Sequence, residues 1–584
     1  MSQTATSERE AGPVTKAIRV AIIGAGASGL VTAKYLRQAR QYFGVPDVEV
    51  RVFEKEDGVG GVCKYKAYEE AEMVSSKYLT AFSDFRVSKD LPDFLPTEEY
   101  VRYLKGFCTH FDLWGVIETK TEILRVSHTS SGHRVFFRRI ERLRAADRRD
   151  GEQQEESWDC DAIAICSGLN NVPFIPSIEG LENMSYLHSS EVKERRQFGS
   201  NTSIMILGAG ETAMDIAHLA ITSEAQEVVM CHKGGFFCAK KVVPLPVVLQ
   251  VWKPDPRQKP VDTAIASFLD TAYLPERLQH SSLLWTVYDK TFKCLHYISG
   301  GTAAGPDQWV GEIKGDRNNV DSYSKECEHA EALSQVVKPN LIIAATGYVR
   351  RFDFLEDDYP KPNELDVRGI WRRGEVTAGF IGFVRPGIGA IPPLAELQAQ
   401  LWVLELLRHK YPQEMALSTA DSDKGESNNA VPHYEVDYAL KARGGHDLFK
   451  SKHGVEQESY AYQLALDMGS APTFSFMRRQ GFKALYTWAM GSNFNTKFRL
   501  IGPWRWTKGA LPIMRGELFD VVKQTGGGVF FTTYTLLPLL LFGYLTLLLQ
   551  ATAGMLRLAG MKERANRVLG SGNIPRREGD DLQE

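Results

Sequence analysis

The sequence predicts an α/β fold with two strand–glycine turn–helix units and a C-terminal hydrophobic segment. Residues 18–32 read IRVAIIGAGASGLVT, and residues 203–217 read SIMILGAGETAMDIA. Each stretch is a short apolar strand, a glycine turn and the start of a helix, and such apolar strands suit a parallel sheet covered on both faces. The two stretches predict two Rossmann-like dinucleotide-binding units, the second inserted in the first.

The composition is typical of a globular protein with several domains. The chain has 584 residues, 43% of them hydrophobic and 24% charged, with a formal net charge of −3. This balance gives no basic field for nucleic acid. The eight cysteines form no CxxC pair and no metal-type cluster, so we expect reduced thiols in a cytosolic compartment. The polar N-terminus lacks the apolar core of a secretory signal, and none is expected.

The first glycine turn fits the pattern G-x-G-x-x-G. Its first glycine permits the tight turn, the second lets the backbone approach a pyrophosphate, and the third allows close helix–strand packing. Glu54 ends the next strand, where an acid can accept hydrogen bonds from ribose hydroxyls. We therefore predict that this unit holds the ADP half of FAD. The predicted contacts in the turn are Gly24, Ala25, Gly26, Ala27, Ser28 and Gly29.

The second turn fits the variant G-x-G-x-x-A through Gly208, Gly210 and Ala213. The strand that follows ends at residues 231–233, Cys-His-Lys, with no acid. An acid there would repel a 2′-phosphate, whereas Lys233 can pair with one, so the sequence favours NADPH over NADH. One turn for each cofactor would bring the nicotinamide to the flavin.

A long uncharged segment covers residues 524–556 and includes VFFTTYTLLPLLLFGYLTLLLQ at 529–550. About 20 apolar residues span a bilayer core, so we predict a membrane anchor. Arg557 and further basic residues follow it, which by the positive-inside rule favours a cytosolic C-terminal side. Pro538 and Gly543 leave a re-entrant or in-plane arrangement open.

The predicted organisation has six parts. These are a disordered N-terminus at 1–17, the first part of the FAD domain at 18–172, the NADPH domain at 173–338, the second part of the FAD domain at 339–523, the membrane anchor at 524–556 and a polar tail at 557–584.

Three classes of flavoprotein with two dinucleotide sites compete at this point. A disulfide reductase needs a redox-active cysteine pair, and no CxxC or CxxxxC occurs in the sequence. An electron-transfer reductase and an oxygenase both remain open on the glycine turns alone.

Several longer stretches decide between them. GVGGVCKY (58–65), EMVSSKYLTAFSDF (72–85), HSSEVK (188–193), AATGY (344–348), GFVRPGIGAIPPLAELQAQLW (382–402) and FRLIGPWRW (498–506) occur in this order. In this order they resemble the flavin-containing monooxygenases, the class B flavoprotein family. The resemblance runs from about residue 18 to 523 and resumes in the hydrophobic C-terminus.

The resemblance implies an activity. NADPH reduces FAD, the reduced flavin and O2 form a C4a-hydroperoxyflavin, and a soft nitrogen or sulfur nucleophile takes one oxygen atom. The implied substrate is small and lipophilic, at an endoplasmic reticulum membrane with the catalytic body facing the cytosol; an oligomer is compatible with the sequence. Baeyer–Villiger oxygenation of ketones and a membrane-bound NADPH-dependent flavoprotein reductase or oxidase are the alternatives.

The resemblance also implies roles for individual positions. Val62 and Cys63 match an aliphatic–tryptophan pair near the flavin, and Ser75 falls beside the isoalloxazine. On the nicotinamide side, Lys233 falls where an arginine usually binds the 2′-phosphate. The remaining implied cofactor contacts are Thr212, Ala213, Met214, Asp215, Thr346 and Gly347.

The chain departs from the family at the flavin. Many members place an asparagine, credited with supporting the hydroperoxide and NADP+, at the position of Val74, which cannot form that hydrogen bond. Asn170 or Asn171 could reach the site from another strand end and replace it. With Cys63 in place of tryptophan as well, an NADPH oxidase that leaks peroxide is a version of the same enzyme hypothesis.

Overall fold

The computed structural model describes residues 16–140, 155–231, 241, 259–264, 276–279, 281, 283, 338–387, 389–417, 429–436, 438, 454–525 and 536–569. The strands are β1 (Arg19–Ile23), β2 (Glu49–Phe53), β3 (Ile117–Glu118), β4 (Thr121–His128), β5 (His133–Arg139), β6 (Glu156–Cys160), β7 (Ala162–Ile165), β8 (Val172–Pro173), β9 (Tyr186–His188), β10 (Ser203–Leu207), β11 (Glu227–Cys231), β12 (Leu341–Ala344), β13 (Tyr348–Val349), β14 (Ala378–Phe380), β15 (Arg385–Pro386) and β16 (Gly454–Val455). The α-helices include α1 (Ala27–Phe43), α2 (Val62–Tyr65), α3 (Lys77–Thr80), α4 (Thr97–His110), α5 (Glu211–Ile221), α6 (Glu276–Gln279), α7 (Ile391–Lys410), α8 (Gln457–Asp467), α9 (Phe474–Arg479), α10 (Phe482–Met490), α11 (Thr507–Arg515), α12 (Glu517–Gln524), α13 (Leu537–Leu558) and α14 (Lys562–Leu569).

The first sheet has five strands in the order β14-β7-β1-β2-β3. β1 is central and pairs in parallel with β2 and β7, while β14 and β3 extend the two sides, also in parallel. Val20 and Ile22 on β1 are fully buried, as the apolar run predicts for a strand covered on both faces. The predicted strand–turn–helix–strand at 18–53 is therefore present.

The core of this first unit lies between the sheet and a layer of helices. α1 and α8 both pack against the long helix α7. α7 starts with Pro392 and Pro393, whose missing N–H groups cost nothing in a first turn. Its buried residues run from Pro393 to Leu407 on nearly every face, because it is enclosed by neighbouring elements.

The second sheet has four strands in the order β11-β10-β12-β9, all paired in parallel. The strand β12 corrects one predicted boundary. The sequence predicts that residues from 339 onward belong to the second part of the first unit, but β12 pairs with β10 and β9 in the second sheet. The second unit therefore extends at least to Ala344, and the predicted boundary between 338 and 339 is wrong.

A third sheet, formed by β4, β5 and β6, is antiparallel. The apolar stretch at 158–168 alone would predict one continuous strand. It is divided between β6 in this sheet and β7 in the first sheet. The break falls at Asp161, whose carboxylate accepts a hydrogen bond from the backbone N–H of Arg19 at 2.8 Å.

The two units are joined by a paired connection. The chain leaves the first unit through β8 and returns through β13, and these two short strands pair antiparallel. Gly168 and Gly347, which precede them, both have positive φ angles of 83° and 84°. The strand ends at these glycines therefore flank the second unit.

The C-terminal hydrophobic segment forms a helix in its described part. α13 continues to Leu558, beyond the predicted end at 556, and α14 lies inside the predicted polar tail. Residues 540–558 are long and apolar enough to cross a membrane by length and composition, and Leu540, Leu541 and Leu547 are exposed. The predicted disordered N-terminus lies almost wholly outside the described residues, as do 526–535 and 570–584.

Candidate dinucleotide-binding site

The first glycine turn has the geometry that its sequence pattern demands. Gly24 has φ +107°, and a Cβ on Gly29 would lie 1.9 Å from the carbonyl oxygen of Gly24, so neither position accepts a side chain. At Gly26, a Cβ would meet only Gly61 Cα, at 3.8 Å. Gly26 is the N-cap of α1 and supplies no side-chain cap, and the first turn of α1 carries no acid. This helix N-terminus therefore fits a dinucleotide pyrophosphate.

Glu54 follows β2 at its carboxyl end, as predicted. Its Oε2 accepts a hydrogen bond from the N–H of Ala25 at 2.7 Å, and its Oε1 accepts one from the N–H of Glu56 at 2.9 Å. The carboxylate is thus bound to the glycine turn itself. Because each carboxylate oxygen can accept a second hydrogen bond, Glu54 can still receive ribose hydroxyls.

Segments 58–65 and 72–76 form a wall beside this turn. A Cβ on Gly61 would lie 3.2 Å from Gly26 Cα, so 58–61 lies directly over the turn. The Cys63 sulfur lies 3.9 Å from the sulfur of Met73, which places the two segments side by side. Val62 is 49% exposed and Val74 is 50% exposed. The wall therefore presents valine side chains where the family resemblance implies the flavin.

Cys63 is a half-buried thiol beside Met73. Burial raises the pKa of its thiol to about 12, so the thiolate is scarce at neutral pH. Its side chain fills space against Met73, in place of the larger tryptophan that the family resemblance implies.

Ser75 is buried, and its hydroxyl is occupied. Ser75 Oγ donates a hydrogen bond to the carbonyl oxygen of Gly389 at 2.9 Å. The next residue, Ala390, donates its N–H to Gln457 Oε1 at 2.6 Å and precedes helix α7. Ser75 therefore ties the wall to the N-terminus of α7, which is a positioning contact and not the free hydroxyl of an acid or base.

Asn170 and Asn171 lie in the connection between the two units. The side-chain amide of Asn171 donates to Arg351 O at 3.0 Å. Their backbone carbonyls accept hydrogen bonds from Lys66 Nζ at 2.5 and 3.0 Å. The Asn171 amide thus holds the connection through one of its N–H groups. A role of Asn170 or Asn171 in place of the asparagine replaced by Val74 stays a prediction.

The second glycine turn repeats the first. Gly208 has φ +120°, and a Cβ there would lie 2.4 Å from Ala345 O. A Cβ on Gly210 would have no atom within 4 Å, and Gly210 gives α5 no side-chain cap. Ala213 is buried against the sheet, as the third position of the pattern requires. This turn also fits a pyrophosphate.

The remaining predicted contacts of the nicotinamide unit have different surroundings. Thr212 and Met214 are half-buried in the first turns of α5. Asp215 accepts a hydrogen bond from the hydroxyl of Tyr68, a residue of the first unit. Thr346 donates its hydroxyl to Phe174 O, and Gly347 O accepts from the N–H of Phe174 and from His188 Nε2, so both residues hold the connection together. Lys233 lies outside the described residues.

Three of the sequence stretches contribute to one buried ionic cluster. It contains Lys34, Asp84, Glu396 and Arg499, whose side chains are at most 9% exposed. Asp84 lies in FSDF, Glu396 in AELQAQ and Arg499 in FRLIGPW. Sequence reasoning did not identify this cluster, although charged residues inside apolar helical patterns are a signal for buried partners.

The two units together define a Rossmann-type α/β protein with two dinucleotide-type turns. Comparison with known proteins identifies the class. The model of the family described as "FMO-like: Flavin-binding monooxygenase-like" matches residues 17–517. The chain belongs to this family of flavoprotein monooxygenases.

Individual relatives agree with the family. The chain is 39% identical to "Monooxygenase cfoE" of Aspergillus candidus, over 91% of this chain and 98% of that protein. It is 35% identical to "Monooxygenase ptmN" of Penicillium ochrochloron, over 91% and 94% of the two chains. Among solved structures, S-allyl-L-cysteine S-oxygenase from Allium sativum superposes with a TM-score of 0.46 at 18% identity, over 87% of this chain and 100% of that one.

Proposed function

We propose that this chain is a monooxygenase that uses FAD and NADPH to insert one oxygen atom from O2 into a soft nitrogen or sulfur nucleophile. The observation that carries the proposal is the pair of glycine turns. Each turn opens a helix whose N-cap glycine provides no side-chain cap. Each also follows an interior strand of a parallel sheet, β1 in the first unit and β10 in the second. Family membership supplies the reaction class.

In this proposal the FAD pyrophosphate lies at the N-terminus of α1, and Glu54 binds the ribose. Val62 and Val74 lie along the flavin and exclude water from it. Ser75 holds this wall to Gly389 through its hydrogen bond, which fixes the wall against the N-terminus of α7. When bound, the flavin supplies the redox and oxygen-activating chemistry.

NADPH would bind at the N-terminus of α5, with Thr212 and Met214 near the phosphates and Lys233 on the 2′-phosphate. Lys233 carries the preference for the phosphorylated cofactor, because no acid ends the strand before it. The chain's part is to keep this dinucleotide beside the flavin, since proximity and orientation supply much of the rate of such a transfer.

The replacement of asparagine by Val74 favours a second candidate, an NADPH oxidase that releases peroxide. The side chain of Val74 offers no hydrogen bond donor, and the side-chain amide of Asn171 donates a hydrogen bond to the backbone carbonyl of Arg351. The apolar wall can still protect the flavin from water, so oxygenation remains the first candidate.

We further propose that α13 anchors the protein in the endoplasmic reticulum membrane, with the catalytic units on the cytosolic side. The exposed leucines of α13 support the anchor. The basic residues Arg557, Lys562 and Arg564 that follow favour a cytosolic C-terminal side. With the catalytic units also cytosolic, α13 would enter the membrane in a re-entrant or in-plane arrangement and would not cross it as a simple span. A lipophilic substrate would then partition into the same membrane. Carbonate extraction of membranes from cells that express the full chain tests the anchor: an integral protein stays with the lipid, and release into the supernatant would contradict it.

The activity is tested with the full-length protein loaded with FAD. We would supply NADPH under ¹⁸O2 with a panel of tertiary amines, thioethers and ketones. The proposal expects one labelled oxygen atom in an amine or thioether product for each NADPH consumed, and faster oxidation of NADPH than of NADH. Labelled esters from ketones would instead identify Baeyer–Villiger chemistry. Peroxide formed in equal amount to NADPH with every compound would identify the oxidase, and reduction of a cytochrome or quinone without labelled product would identify a reductase.

A further inference from the structure

The wall formed by segments 58–65 and 72–76, which we propose lies along the flavin, is called the flavin wall below. Segment 65–70 connects its two parts, but it is bound to the second unit. The ring of Tyr68 packs against the apolar core of that unit, which includes Ala213 and Ile216 of α5. A side chain of the first unit is thus part of the core that supports the second glycine turn.

The hydroxyl of Tyr68 reaches the same helix. Tyr68 Oη donates a hydrogen bond to Asp215 Oδ2 at 2.5 Å, close to the first turn of α5. Burial, the bond to Asp215 and the nearby charges raise the pKa of Tyr68 well above its ordinary value. The phenol therefore remains a donor to the carboxylate over the physiological pH range.

Neighbouring contacts hold the same segment. Lys193 Nζ donates to the carbonyl oxygens of Tyr65 and Ala67 at 3.0 and 3.1 Å. Arg195 pairs with Glu69 and Glu70, each at 2.6 Å. Segment 65–70 is therefore fixed to the second unit by its backbone, by ion pairs and by the Tyr68 side chain.

The same segment continues directly into the flavin wall. The N–H of Ala71 bonds to Tyr68 O at 3.0 Å in a tight turn, and the N–H of Met73 bonds to Leu95 O at 2.8 Å. Val74 and Ser75 follow. A short, hydrogen-bonded stretch of chain therefore connects the start of α5 to the wall beside the first glycine turn.

We propose that Tyr68 is a positioning residue that fixes the N-terminus of α5 against the flavin wall and so retains the nicotinamide dinucleotide beside the flavin. This inference rests on the proposed NADPH function. Without the Tyr68–Asp215 bond, a smaller fraction of the protein has the two units held together in the arrangement that binds the dinucleotide. The apparent affinity for NADP+ and NADPH therefore falls.

The test uses Tyr68→Phe in the full-length protein loaded with FAD, because phenylalanine keeps the ring in the core and removes only the hydroxyl. Tyr411→Phe is the matched control. Its hydroxyl accepts from the N–H of Ile18 at 3.0 Å and donates to Lys16 O at 2.9 Å, away from both glycine turns. The measurements are the dissociation constant of NADP+, KM for NADPH, kcat, and peroxide released per NADPH consumed.

For Tyr68→Phe we expect the NADP+ dissociation constant and KM to rise about fivefold or more, with more peroxide released, as expected for the loss of coupling between two sites. FAD content should stay unchanged. Asp215→Ala removes the same bond from the other side, so it should match Tyr68→Phe, and the double variant should be no worse than either single one. Asp215→Asn keeps an acceptor oxygen and should restore part of the affinity.

Unchanged NADP+ affinity in Tyr68→Phe, or an equal loss in Tyr411→Phe, would overturn the inference. If Tyr68→Phe does not fold, Arg195→Gln decides in its place, because it weakens the ion pairs of the same segment through Glu69 and Glu70. Asp215→Ala alone does not decide, since Asp215 is itself an implied cofactor contact. If the wild type binds NADP+ and oxidises NADPH but Tyr68→Phe is unaffected, the positioning role of Tyr68 is rejected and the proposed function stands. Wild-type protein that binds no NADP+ rejects the proposed function and this inference together.

Discussion

Arg499 and Asp84, 415 residues apart in the chain, form a buried ion pair with 3.1 Å between Nη1 and Oδ2. Lys34 contacts the same Oδ2 at 2.6 Å, and Arg499 also donates to the hydroxyls of Tyr35 and Ser83. Burial opposes ionisation of Asp84, yet the two cations hold its pKa below its usual value. The cluster therefore joins α1, the segment before α4 and the chain after α10 by charge as well as by packing.

Replacing Arg499 with methionine should destabilise the protein strongly. The change removes one cation from the buried carboxylates of Asp84 and Glu396, of which Asp84 keeps its contact with Lys34. Breaking a buried ion pair in this way costs about 3–5 kcal/mol. The measurement is the free energy of unfolding from chemical denaturation. The control is Arg40→Met, since Arg40 and Asp47 are 66% and 70% exposed and such surface pairs are worth at most about 1 kcal/mol. Similar losses in both variants would refute the special role of the buried cluster.

Replacing Glu54 with alanine should weaken FAD binding by about tenfold or more, because it removes the acceptor of the Ala25 N–H and the proposed partner of the ribose. FAD retained after gel filtration and its dissociation constant measure the effect. Glu49→Ala is the control, since Glu49 is an exposed residue at the start of β2. A variant that retains FAD as tightly as the wild type would contradict the role of Glu54.

Val74→Asn restores the residue that the family resemblance implies, on a wall where Val74 is half exposed. We expect peroxide released per NADPH to fall by about threefold or more, since the amide can hydrogen bond at the flavin. Val74→Leu, which adds volume without an amide, should give no such decrease. Peroxide release that is equal in wild type and Val74→Asn would show that another group already protects the flavin.

Asp262 should give the protein a pH-dependent stability. Its Oδ2 accepts the N–H of Ser76 at 2.6 Å, next to the flavin wall, while its Oδ1 is buried and has no hydrogen bond partner among the described residues. Burial raises the pKa of Asp262 from 3.8 to about 6, with Asp93 acting in the same direction. Between these two pKa values the folded protein holds a proton that the unfolded chain has lost. The stability that Asp262 contributes is therefore fully present below pH 3.8 and is lost as the pH rises through about 6.

Asp262→Asn removes this titration and keeps an acceptor for Ser76. The free energy of unfolding of the variant minus that of the wild type should be larger at pH 7.5 than at pH 4.5, by about 2 kcal/mol. Denaturant titrations at the two pH values measure the difference. A difference that is independent of pH would show that the pKa of Asp262 is not raised.

Local patterns were sufficient to predict the two strand–turn–helix units. The glycine positions, the burial of Ala213 and the location of Glu54 follow from the contacts of residues near each turn. The sheet to which each apolar strand belongs did not follow from such local patterns. The stretches that contain β7 and β12 are both apolar and both end in glycine, and periodicity cannot tell which neighbour each strand will pair with. The strand β12 was therefore assigned to the wrong unit.

Long-range polar contacts were equally beyond local patterns. Tyr68 and Asp215 are 147 residues apart, and nothing in either stretch alone indicates the other. The same holds for Ser75, whose hydrogen bond to the carbonyl oxygen of Gly389, 314 residues away, is not indicated by the residues around it. Such contacts depend on how the two units and the helices of the first unit pack together.

The antiparallel pairing of β8 with β13 has a consequence for evolution and engineering. The chain enters and leaves the second unit at residues that are neighbours in space. The second unit is therefore a cassette, an exchangeable segment that can be replaced without changing the path of the chain in the first unit. A homologous cassette with different cofactor preference can be spliced between Pro173 and Tyr348, provided that its core accepts Tyr68 and its helix offers an acceptor for the phenol.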